Sequence, residues 1–201
     1  MVRLDYSFFD RPTLNVSREL LGKKLIKIEP DGNCLSGIID EVESYIGSED
    51  LASHARNGLT QRTQVMFGSP GRSYVYFTYG IHWMFNIVTE PKGVPGAILI
   101  RSIIPTEGLN TMKSRRGKAS TGLTDGPAKL TQALGINKDW NNYNLCDSNS
   151  SLYIEDLGTA TPQSVSAPRI GLGKTPEPWF SMPWNYKIIK TQGLGSHLSI
   201  R

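Results

Sequence analysis

Apolar and polar positions in this chain alternate in short runs, and few stretches carry a helical period. Residues Lys24 to Glu29 read as a strand, closed by a turn at Asp31-Gly32. From Leu35 to Tyr45 the alternation is regular. It places Ile39, Glu41, Glu43 and Tyr45 on one predicted face and Ile38, Asp40, Val42 and Ser44 on the other. Ala97 to Ile104 predicts a further strand. Helical signals are fewer. Asp10 is a candidate cap for a short helix with Pro12 in its first turn and Gly22 at its end, and Pro127 to Leu134 is a helix stopped by Gly135. Trp140 to Ser151, rich in Asn and Ser, reads as loop. Strands in succession with helices at their flanks predict an α+β fold. The expected form is one domain over residues 1–201, with a curved, mostly antiparallel sheet, flanking helices and a protruding β-hairpin. No internal repeat or interdomain linker is visible.

The hairpin comes from Ser73 to Asn86, SYVYFTYGIHWMFN. Val75, Phe77, Ile81 and Phe85 read as two strands, and Gly80 supplies the unusual dihedral of a tight turn. Tyr74, Tyr76, Tyr79 and Trp83 crowd the same segment. A tyrosine at a hairpin tip is badly placed to fill its own core and well placed to enter something else, such as a base stack. A packed aromatic hairpin is the competing reading.

Composition narrows the partners. The 201 residues carry a net charge of +4, which suits a polyanion without requiring one. There is no apolar run of membrane-spanning length and no signal-peptide core in MVRLDYSFFD, so an intracellular location and no membrane partner are expected. Cys34 and Cys146 share no metal spacing and read as reduced thiols.

Two polar positions resist a bland core. Arg101 lies within AILIRSII, and a buried guanidinium needs a carboxylate. Glu43, on the face of Tyr45, is the candidate partner; the pair is either a structural ion pair or a carboxylate kept charged to orient or deprotonate water. His54 lies in the polar stretch GSEDLASHARNG, read as a loop, where it is either surface decoration or part of a pocket near Glu43. Glu43, Asp50 and His54 match no metal-ligand spacing, so neither a metal nor another cofactor is expected.

With these residues in view, the chain resembles the alkyladenine (3-methyladenine) DNA glycosylases of the alkylpurine glycosylase superfamily. The resemblance runs from FFDRPTLNVSRELLGKKL to APRIGLGKTPEPWFSMPW. Its most specific segments are EVESYIGSEDLASHA, MFGSPGRSYVYFTYGIHWMFNIV, GAILIRSIIPTEGL and DGPAKLTQALGI. It implies that Glu43 activates the attacking water and that Arg101 helps hold both. It further implies that Tyr45 and Tyr76 sandwich a flipped base, that His54 and Asn86 line the pocket, and that Tyr79 fills the gap left in the duplex. The segment RIGLG around Leu172 would be a strand whose backbone closes the water site. Many relatives have Arg-Asn where this chain has Arg62-Thr63.

The chemistry fits these roles. A base inside a duplex must be extruded before its sugar carbon can be attacked. Cationic alkylpurines suit electron-rich tyrosine faces, and a carboxylate can both position water and stabilise an oxocarbenium-like state. A cationic base leaves without acid assistance, and no lysine occupies an evident pocket position, so hydrolysis without strand cleavage is expected. The expected partner is damaged double-stranded DNA bound by a monomer. Arg62 and the run KSRRGK, with Arg115, Arg116 and Lys118, are candidate phosphate contacts, or simply a solvated face. Two other classes compete. A stacking module using Tyr74, Tyr76 and Tyr79 leaves Glu43 and Arg101 without a task. A glycosidase could use Glu41 and Glu43, about 6 to 7 Å apart along one strand.

Overall fold

The computed structural model describes residues 1–117 and 122–189. In chain order the elements are β1 Val2–Arg3, α1 Tyr6–Phe9, α2 Thr13–Leu20, β2 Lys24–Ile28 and β3 Cys34–Ile46. A 3-10 helix, His54–Asn57, precedes β4 Ser73–Thr78, β5 His82–Thr89, β6 Gly96–Glu107, α3 Leu109–Arg116 and α4 Pro127–Leu134. β7 Leu152–Asp156, β8 Ser164–Ala167 and β9 Asn185–Ile188 follow. The strands form one nine-stranded sheet in the order β1-β7-β2-β3-β6-β5-β4, with β9 paired to β3 and β8 to β9. Every pairing is antiparallel. This is an α+β fold.

β3 is the spine. One edge pairs with β6 along nearly its whole length; the other pairs first with β2 and then with β9. Against one sheet face pack Val16 and Leu20 of α2, Met112 of α3, and Leu130 and Leu134 of α4. They meet Val42, Val75, Phe85, Ile98 and Ile100 in the main core. A smaller cluster on the other face joins Ala55, Val65 and Met66 to Tyr74, Val88 and Ala97. Tyr74 and Val75 are neighbours yet belong to different clusters, as strand alternation requires.

The alternation expected for β3 breaks at one place. Ile39 pairs with Ile103, Glu41 with Ser102 and Val42 with Ile100, so Asp40 is an extra residue on β3 and Arg101 one on β6. These two β-bulges shift the phase of both strands. Ile39 and Val42 therefore share the main core, as do Ile100 and Ile103, while Glu41, Glu43 and Arg101 meet on the other face. Buried Ser102 donates its hydroxyl to Asp40 where the bulges face each other.

Two helical expectations need correction. Asp10 caps no N-terminus: it ends α1, whose N-cap is Asp5, and α2 starts at Thr13 with Pro12 in the capping position. Pro12 has a ψ of 126°, extended and outside the helical range, so it stands before the first turn and not in it. The helix from Pro127 to Leu134 and its left-handed stop at Gly135 are as expected.

Candidate active site

The β4–β5 hairpin turns through Thr78, Tyr79, Gly80 and Ile81, with the Ile81 N–H donating to the Thr78 carbonyl at 3.2 Å. Both central residues have positive φ, 51° at Tyr79 and 68° at Gly80. Gly80 thus does not act alone, since a non-glycine side chain is also held in the left-handed region that a tight hairpin requires. That backbone throws the Tyr79 ring outward, where it is 82% exposed, beside exposed Phe77 and Ile81.

Behind the tip lies a cavity of about 310 Å³. Tyr45 of β3, Tyr74 and Tyr76 of β4, Asn86 of β5, His54 and the loop residues Gly171 and Leu172 line it, and Tyr79 stands at its mouth. These residues converge because the second face of β3, β4, β5 and β6 is left uncovered by the helices. Asn86 is buried and donates to the Tyr74 carbonyl at 2.9 Å. His54 sits on the 3-10 helix capped by Ser53, not in open loop. Its Nδ1 is 2.9 Å from the Tyr74 hydroxyl, and its ring meets Tyr76 edge-on at 4.5 Å. Burial, with Arg62 and Arg56 adding to it, lowers the His54 pKa to about 4, so the imidazole is neutral near pH 7. Burial also pushes Tyr76 up to about 12 and Tyr45 well above its ordinary value, so both rings enter the cavity as neutral phenols.

Glu43 is wholly buried and meets the cavity through Tyr45, whose hydroxyl donates to Oε2 at 2.9 Å. Oε1 accepts from the Ile170 N–H at 2.6 Å and from Asn185 Nδ2 at 3.2 Å, and lies 3.3 Å from Arg101 Nη1. Arg101 is shared, because its Nε also bonds Glu41 at 3.0 Å. Glu41 is further held by Asn185 at 3.0 Å and Lys187 at 2.8 Å. Burial raises the Glu41 pKa, but the Asn185 and Lys187 bonds and the charge of Arg101 outweigh it and hold the carboxyl below its ordinary value. Arg101 is thus a bridge between two carboxylates and not a partner of Glu43 alone.

Residues far along the chain complete the site; the resemblance points to the RIGLG backbone among them, but the side chains of Arg169, Trp184 and Asn185 carry no signal in the sequence pattern. Buried Arg169 forms a two-pronged ion pair with buried Asp50 at 2.5 and 2.9 Å. Its guanidinium lies 4.7 Å from the Tyr45 ring and 4.9 Å from the Trp184 ring, a cation between two aromatic faces. The RIGLG segment is not a strand but the irregular stretch after β8, and its backbone brings the Ile170 N–H to Glu43. Among the described residues, no group of three or more His, Cys, Asp and Glu side chains is placed to hold a metal ion.

The candidate basic contacts separate. Arg62 lies at the cavity rim, with its guanidinium 5.2 Å from the Tyr76 ring. Thr63 beside it is buried and donates to the Gly58 carbonyl at 2.8 Å, which fixes the turn carrying Arg62. Arg115 bonds Glu29 at 3.0 Å, and Arg116 bonds Gln132 of α4. Both sit on α3, whose Met112 packs into the core face opposite the cavity, so the structure does not bring them to Arg62. Lys118 lies outside the described residues.

The sequence profile of methylpurine-DNA glycosylase (MPG) matches residues 7–192. This chain belongs to the methylpurine-DNA glycosylase family. A Chlorobium luteolum protein provisionally named 3-methyladenine DNA glycosylase is 42% identical over 186 residues, 92% of each chain. One of the same provisional name from Chlorobaculum parvum is 40% identical over 199 residues, 98% of this chain and 94% of its own. Another, from Methanocella arvoryzae, is 44% identical over 185 residues, 91% of this chain and 90% of its own. The methylpurine-DNA glycosylase match thus spans the hairpin, the cavity and both carboxylates. No helix among the described residues is long and apolar enough to cross a membrane.

Proposed function

We propose that this family member excises 3-methyladenine and related alkylated or deaminated purines from duplex DNA as a monomer. In this reading it flips the damaged nucleotide into the tyrosine-lined cavity and hydrolyses its N-glycosidic bond with water activated by Glu43. The observation that carries the reading is the junction of cavity and carboxylate: Tyr45 lines the one and hydrogen-bonds the other. A purine stacked on Tyr45 would bring its sugar carbon toward the carboxylate that must position water. Neutral tyrosine faces attract an N-alkylated, cationic purine, and the neutral His54 does not repel it. Arg62 at the rim is the favoured phosphate contact.

Glu41 fits a glycosidase dyad poorly, because both of its oxygens are taken by Arg101, Asn185 and Lys187. A plain stacking module would not need a buried carboxylate under the cavity floor. The deciding experiment is incubation with a methylated duplex and chromatography of released bases. Free 3-methyladenine with an intact abasic strand is expected; its absence at high enzyme concentration would overturn the reading.

Tyr79 is the proposed wedge that fills the gap in the duplex. Its ring is 82% exposed, so Tyr79→Ala removes little core contact, whereas Phe85 is fully buried. Stacking between bases is worth about 1 to 3 kcal/mol, so the variant is expected to lose roughly tenfold or more in single-turnover rate or lesion affinity. Its melting temperature should stay near the parent's. A large drop in melting temperature with base release intact would mark Tyr79 as a packing residue.

A further inference from the structure

The two oxygens of Glu43 are treated differently. Oε1 is met by Ile170, Asn185 and Arg101, whereas Oε2 is met by Tyr45 from the cavity side. A carboxylate oxygen offers about two acceptor sites, so Oε1 is saturated and Oε2 keeps room for one more donor. Asn185 is central to this asymmetry. Its buried amide has two N–H groups, and they are spent on Glu41 Oε1 at 3.0 Å and Glu43 Oε1 at 3.2 Å. Its backbone is fixed directly opposite Glu43 in the β3–β9 ladder and opposite Ala167 on the other edge.

We propose that Asn185 is a positioning residue for Glu43: its amide anchors Oε1 so that Oε2 is the oxygen presented to the attacking water. The inference rests on the proposed role of Glu43 as the water-activating carboxylate. Arg101 cannot replace the amide. Its guanidinium is divided between the two carboxylates, and the contact with Glu43 at 3.3 Å is longer than that with Glu41 at 3.0 Å. Without Asn185, Oε1 would keep only the Ile170 N–H and the divided Arg101, and those two donors would restrict less tightly the terminal torsion, which is a broad well in glutamate. Catalysis would then sample a poorly aligned water for most of the time, with substrate binding unaffected.

The test uses the full chain and a methylated duplex, comparing the parent with Asn185→Ser, Asn185→His and Glu43→Gln. Serine is too short to reach either carboxylate, whereas histidine returns one ring N–H at similar reach. Asn185→Ser should lower the single-turnover rate at saturating enzyme by about ten- to a hundredfold, since misalignment on the ångström scale costs that much. The half-saturating enzyme concentration should stay within about twofold, as expected when only transition-state alignment is lost. Asn185→His should recover part of the lost rate. A parental rate in Asn185→Ser with Glu43→Gln inactive would overturn the positioning role and leave the role of Glu43 standing. Rate and affinity falling together with the folded fraction, or equal rates in the serine and histidine variants, would mark Asn185 as a strand-pairing residue and also overturn the proposal. Parental turnover in Glu43→Gln would remove the reading of Glu43 and this inference with it.

Discussion

Glu43→Gln should reduce the single-turnover release of 3-methyladenine by about 10²- to 10⁴-fold, the usual contribution of a positioned general base. The substitution keeps the size and shape of a wholly buried side chain, so no cavity opens. Its amide oxygen can still accept from Ile170 and Asn185, and its new N–H groups face the Tyr45 oxygen, which can accept as readily as it donates. Removing a buried charge would ordinarily leave its partner stranded. Here Arg101 keeps Glu41 at 3.0 Å, so the guanidinium remains paired. Affinity for a lesion-bearing duplex should therefore stay within a few-fold of the parent's. Equal turnover in variant and parent would remove Glu43 from the mechanism.

Asp50→Asn should be the most destabilising conservative change at the site. Asp50 and Arg169 are both fully buried as side chains, and the substitution leaves a guanidinium without its counter-charge. Breaking such a pair costs about 3 to 5 kcal/mol, and at about 2 to 4 °C per kcal/mol for a chain of this size the melting temperature should fall by roughly 6 to 20 °C. The loss should spread beyond the pair, because Arg169 also bonds the Ser44 and Trp179 carbonyls and lies against the Tyr45 ring. Catalysis at low temperature should therefore weaken as well. A melting temperature within 2 °C of the parent's, by the same scaling, would show that the pair is dispensable.

The cavity walls were legible in the sequence because their signals are local. The aromatic alternation of Tyr74 and Tyr76, the tip at Tyr79 and the shared face of Glu43 and Tyr45 all follow from a period of two. The pairings that fix the carboxylates were not legible from local pattern, since Asn185 and Ile170 reach Glu43 from more than a hundred residues away, and only the family resemblance points to the RIGLG backbone. Nothing near them in the chain encodes such a contact. β8, with all four residues exposed, carries no buried stripe to read, and its edge is defined by pairing with β9 alone. Arg115 and Arg116 illustrate the limit from the other side: a basic run looks solvated until its partners Glu29 and Gln132, supplied by other elements, are known.

The matched bulges at Asp40 and Arg101 also act as a registration key. Straightened into a regular strand, β3 would place Ile39, Glu41 and Glu43 on one side, and any choice of face would then be wrong for some of them. Either two carboxylates would enter the aliphatic core or Ile39 would leave it. A one-residue slip of the β3–β6 pair meets the same conflict, since it exchanges the faces of every residue beyond the bulge. Each misplaced carboxylate would cost several kcal/mol in effective desolvation, so the buried charges on this face of the sheet also reject its mispaired alignments.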